Sequence, residues 1–126
     1  MHLLTASKYL QFINRYYKDS QSKVMRQKID EDVKILVRIL DKTIMYIVEK
    51  KQWVLETALE EVLSQVYLLI ASHPHLFKTH ITALDNILHR SVTLLPSPQV
   101  QAASLRISTQ LIFNSSNYNE MVNNIL

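Results

Sequence analysis

No glycine occurs anywhere in the 126 residues. Average usage of about 7% predicts roughly nine in a chain of this length. Glycine supplies the positive φ and close backbone approach on which phosphate-cradling loops, dinucleotide fingerprints and nucleophile elbows depend. Those chemistries are therefore excluded in their usual forms. Cysteine is also absent, which removes disulfide frameworks and thiolate metal sites. The turns must be made by Pro, Ser and Asn, so the breaks at 72–74, 96–98 and 114–117 are predicted to use right-handed backbone geometry. A chain so depleted in special turns folds most simply as helices joined by short polar breaks.

The length suits one domain with a continuous core, and 48% apolar with 20% charged residues is a folding composition. No apolar run reaches the 18 or so residues of a membrane span, and Met1–Lys8 carries no secretory signal. The expectation is a soluble, intracellular chain.

Five or six antiparallel helices follow from the periodicity. The first covers about 3–18. On a helical wheel its apolar half holds Leu3, Ala6, Tyr9, Leu10, Phe12, Ile13, Tyr16 and Tyr17. Its polar half holds Ser7, Lys8, Gln11, Asn14, Arg15 and Lys18. The second, about 24–50, has a core stripe from Ile29 to Val48 and a further stripe of Ile35, Ile39 and Tyr46. Together these span an arc of about 220°, so that helix is predicted to be covered from two sides. Its length of roughly 40 Å exceeds the diameter implied by a radius of gyration near 14 Å. That predicts either a break near Asp30-Glu31-Asp32 or an elongated domain. The third helix covers about 53–71 and the fourth about 75–95, with Ser72 as its N-cap. The fifth covers about 98–113, with Ser97 as N-cap and Pro98 in its first turn. Ser104 and Ser108 lie inside its apolar arc, where small side chains let two helices approach closely. A last segment, Tyr118 to Leu126, has helical spacing and stops on an apolar dipeptide. That ending predicts a segment of a larger protein.

The runs Val66-Tyr-Leu-Leu-Ile-Ala-Ser-His-Pro-His-Leu-Phe and Leu95-Pro-Ser-Pro-Gln-Val-Gln-Ala-Ala-Ser-Leu-Arg-Ile-Ser-Thr-Gln-Leu resemble the helix–turn–helix units of HEAT and armadillo repeats. The resemblance spans 66–113. It departs from the family pattern at Ser97, where an Asp is usual, and at Gln101, where an Arg is usual. What it implies is a short α-solenoid that presents helix faces to protein partners.

The candidate chemistry is sparse. His73, His75 and His80 are close in sequence, but His80 falls in the apolar arc while Asp85 and His89 fall opposite it. They read as one core histidine and two turn histidines, and no metal ligand set or cofactor site is expected. Asp30, Glu31 and Asp32 point around the helix and read as a solvated face or a helix start. No nucleophile–base spacing is present, so no enzyme and no small-molecule substrate are expected.

Two binding readings compete. The first is a scaffold or adaptor that binds protein, or itself, through large apolar groups near element ends: Met45, Tyr46, Trp53, Tyr118, Met121 and Leu126. Beyond Ser91 only Arg106 and Glu120 are charged, and such a surface is cheap to desolvate. The second uses the basic N-terminal region, where residues 1–28 hold six Lys/Arg against one acid. Lys8, Arg15, Lys18, Lys23, Arg26 and Lys28 would contact nucleic acid phosphates or an acidic membrane surface. The wheel places the interleaved aromatics, Tyr9, Phe12, Tyr16 and Tyr17, in the core, which leaves that region a plain basic stripe.

Overall fold

A computed structural model describes residues 2–18 and 23–114. All regular structure among them is helical: α1 (Leu3–Tyr16), α2 (Lys23–Lys50), α3 (Glu56–Ser72), α4 (Ile81–Leu94) and α5 (Pro98–Asn114). Short 3₁₀ segments, Trp53–Leu55 and Pro74–His80, precede α3 and α4. The expected last segment, with Tyr118, Met121 and Leu126, lies outside the described residues.

The helices form an all-α bundle around α3. Leu59, Val62, Leu63, Val66, Leu69 and Ile70 recur along α3 at helical spacing and are fully buried. α3 packs against α1 on one side and α5 on the other, while α2 packs against α4 and the Pro74–His80 segment. α4 also contacts α5. Buried residues of all five helices join in one hydrophobic cluster.

α2 runs unbroken for 28 residues, about 42 Å. Of the two expectations, the break at Asp30–Asp32 does not occur, because the acids find partners without leaving the helix. Asp32 accepts a hydrogen bond from the Tyr9 hydroxyl at 2.7 Å and pairs with Lys28 at 3.3 Å. Asp30 takes Thr79 Oγ1 at 3.3 Å and faces His80 Nε2 at 3.1 Å. These contacts correct the reading of a plain solvated face for Asp32, which is buried; Asp30 is paired but exposed, and Glu31 is exposed. They also make His80 a polar link between elements rather than a core histidine.

Two faces differ from expectation. The second stripe of α2 is only partly covered by the described residues: Ile39 is half-buried, but Ile35 is 43% and Tyr46 50% exposed. In α1, Ser7 is buried, whereas Phe12 is 58% and Tyr16 54% exposed. α1 is rolled toward α3 because their facing edges carry matching polar groups. Ser7 Oγ and Gln11 Nε2 donate to Glu61 Oε1 at 3.3 and 3.2 Å. Asn14 Nδ2 donates to the Gln65 backbone carbonyl at 3.1 Å and its side-chain oxygen at 3.0 Å. That roll turns Phe12 and Tyr16 outward.

The junctions show which turn chemistry works without glycine. Ser97 caps α5 as expected, its Oγ accepting the Val100 N–H at 3.3 Å. The Ser97 N–H in turn donates to Oε2 of buried Glu56 at 3.0 Å, which ties the start of α5 to the start of α3. Ser72 is not an N-cap. It is the last residue of α3, and the Pro74–His80 segment begins without a side-chain cap. Between α4 and α5 the small residues do permit close approach: Ser104 Oγ donates to Ser91 Oγ at 2.9 Å, both fully buried.

Lys51 alone among the described residues has positive φ, 54°. The Gln52 N–H bonds back to the Ile47 carbonyl at 3.1 Å, the long bond of a Schellman cap in which Lys51 occupies the left-handed position usually given to glycine. Lys51→Gly is therefore expected to raise stability by about 0.5–1 kcal/mol, the strain relieved less the added unfolded-state entropy. Calorimetry should show Tm rising by roughly 2–4 °C, with Lys51→Ala unchanged as the control.

Candidate functional site

The partly covered stripe of α2 forms the floor of a groove. Ile39, Thr43 and Tyr46 lie at helical spacing on one face of α2, and Leu3 and Leu4 from the first turn of α1 form one wall. Leu55, the last residue of the Trp53–Leu55 segment, and Ala58, in the first turn of α3, complete the lining. The cavity measures about 560 Å³. Leu4 is 61% exposed, so the groove is open and apolar side chains face water. Its basic lining is Lys42 and His2, with His2 Nε2 held 3.2 Å from Thr5 Oγ1. No acid lines it.

Of the apolar candidates chosen from sequence, Tyr46 lines this groove. Met45, beside it, is half-buried and outside the lining. Trp53 is exposed on the 3₁₀ segment two residues before Leu55, next to the still more exposed Val54. The sequence reading missed Leu3, Leu4, Ile39 and Leu55 as groove residues. The signal for Ile39 was present in the second stripe, whereas Leu3 read as part of the core half of the first helix and Leu4 fell in neither half.

The six candidate cations do not form one stripe. Lys8 and Arg15 share the outer face of α1 with Gln11, Phe12 and Tyr16, around a shallow concavity of about 210 Å³. Lys23 and Arg26 line a separate cleft of about 730 Å³ on the same face of α2 as Asp30 and Glu31, with His75 and Leu76. Lys28 is paired with Asp32, and Lys18 is exposed just past α1.

The aromatics divide as well. Tyr17 is buried, its hydroxyl 3.2 Å from His75 Nε2 and its ring edge-on to His73 at 4.7 Å. The turn histidines thus anchor the end of α1. Tyr9 is half-buried beneath α2. Burial, then the hydrogen bond it donates to Asp32 and that carboxylate's charge, push its phenol far above the ordinary value. A raised folded-state pKa means that stability is intact below the unfolded tyrosine value of about 10 and falls as pH climbs toward the folded one. Tyr9→Phe is expected to flatten that alkaline decline relative to the parent. Urea midpoints measured between neutral pH and about pH 11 would show it, and parallel declines would refute the linkage.

Every buried side-chain nitrogen or oxygen among the described residues has a hydrogen-bond partner. No group of three or more His, Cys, Asp or Glu among them is placed to hold a metal ion. No described helix is long and apolar enough to cross a membrane. Compared with protein-family models, curated proteins and solved structures, the chain finds no match in any of the three.

Proposed function

We propose that this chain is a non-enzymatic protein-interaction module whose α1/α2 groove receives an amphipathic helix of a partner protein. The observation that carries this reading is the second apolar stripe of α2, left partly open to water along a groove walled by Leu3 and Leu4. From Ile39 to Tyr46 the floor runs about 10 Å, two helical turns. That length suits partner side chains spaced i, i+3 or i+4, and i+7. Lys42 stands in the lining with no acid opposed to it, so charge complementarity selects an acidic flank on the partner helix.

The layering supports the scaffold reading and the HEAT-like resemblance behind it. α3 contacts α1 and α5, and α2 contacts α4. Alternating helices that stack on alternating neighbours are how solenoid repeats bury a continuous core and leave helix faces for partners.

Selection from a displayed library of amphipathic helical peptides tests the proposal. Enriched peptides are expected to carry acids beside an apolar stripe and to shift Trp53 fluorescence. Lys42→Glu should weaken them about tenfold, and an acid-to-Lys exchange in the peptide should restore binding. Failure to enrich, or enrichment indifferent to Lys42, refutes it.

A further inference from the structure

We infer that the outer face of α1, apart from the groove, is a binding site for single-stranded nucleic acid. The aromatics at this end of the chain looked like core residues in sequence. Two are not. Phe12 and Tyr16 are more than half exposed, with ring centroids 4.9 Å apart and planes inclined at 48°. An exposed aromatic pair in a 126-residue domain leaves ring surface in water with nothing in the described fold to cover it. Lys8 and Arg15 share that concavity, and no acid lines it. Glu61 of α3, which meets the polar edge of α1, is held by Ser7 and Gln11.

Rings supply stacking platforms that accept any base, and cations alongside track the phosphates. Lys8 and Arg15 lie two helical turns apart, about 10 Å along the axis. That matches about three nucleotides at the roughly 3.4 Å per-strand charge spacing of stacked nucleic acid. A purely acidic peptide, without apolar side chains, would satisfy the cations and leave the rings in water. An anionic membrane surface would call for a broad apolar face, but the main apolar face of α1 (Ala6, Leu10, Ile13) is buried in the core. Duplex would offer phosphates with its bases already paired. A single strand uses both features.

The test is anisotropy of labelled oligouridylate and oligothymidylate against the purified chain over a salt series. Binding is expected at low salt and should weaken steeply as salt rises. Phe12→Ala/Tyr16→Ala should lose at least tenfold in affinity. Lys8→Gln/Arg15→Gln should reduce the salt slope by about 1.4, two contacts at about 0.7 each. Both pairs are exposed, so circular dichroism and melting should match the parent. Tyr46→Asp should leave oligonucleotide binding unchanged, which separates failure of this site from failure of the groove. No binding at low salt, equal affinity for duplex, equal competition by polyglutamate, or indifference to loss of both rings overturns the inference. Binding to vesicles of phosphatidylserine and phosphatidylcholine in place of the oligonucleotide also overturns it.

Discussion

Replacing Leu63 with alanine is expected to lower the free energy of unfolding by about 3–4 kcal/mol, the middle of the range for leucine-to-alanine core changes. Leu63 is fully buried on α3, and α3 is the helix flanked by both α1 and α5. Removing the isobutyl group costs transfer free energy and leaves a cavity. Walls on two sides are tied by hydrogen bonds that resist collapse: Glu61 and Gln65 to α1, and Glu56 to the start of α5. A domain of this size has about 5–15 kcal/mol in total, so a large share of it would be lost. Urea unfolding should show a lower midpoint with an unchanged slope. Leu105→Ala, at a site 54% exposed, should change stability by less than about 0.5 kcal/mol. Comparable effects at the two sites would contradict the central place of α3.

What the sequence made legible was local. The spacing of Leu59, Val62, Leu63 and Val66 reads as a buried helix face because a period of 3.6 is visible within one segment. Ser97 and Pro98 announce the start of α5 because capping involves neighbours three residues apart. Even Ser104 stood out as a small residue in an apolar arc, although its partner Ser91 did not, since nothing near Ser104 encodes a distant pairing. The roll of α1 was illegible for the same reason. On a wheel, Tyr16 sits as well beside Ile13 as outside it, and the choice is made by Glu61 and Gln65 about fifty residues away. The 3₁₀ character of Pro74–His80 and the left-handed Lys51 likewise left no composition signal. The breaks at 72–74 and 96–98 hold no residue of positive φ, and the third expected break, 114–117, runs beyond the described residues. The strain that glycine would relieve is instead concentrated at the α2 terminus.

The groove was half legible, and its legible half frames the second large effect. Ile35, Ile39 and Tyr46 announced a second face on α2 that has to be covered, but not what covers it. The described residues cover only its edge, so Tyr46→Asp is expected to leave folding almost intact while abolishing partner-helix binding. Tyr46 is 50% exposed, so its loss removes little from the core. In a complex it would bury its ring against an apolar anchor, an interaction of about 1.5–3 kcal/mol for a full aromatic side chain. The new carboxylate would also be desolvated facing an acidic flank, where like charges oppose each other. Together these should weaken binding by at least about 100-fold, since each 1.4 kcal/mol is tenfold. Titration of a selected acidic helical peptide, followed by calorimetry and by Trp53 emission, would read the loss, and the Tm of the free variant should stay within about 2 °C of the parent. A variant that still binds would move the docking site away from α2. A variant that unfolds would mean that Tyr46 is structural, and Ile39→Ala would then report on the groove with a smaller truncation and no added charge.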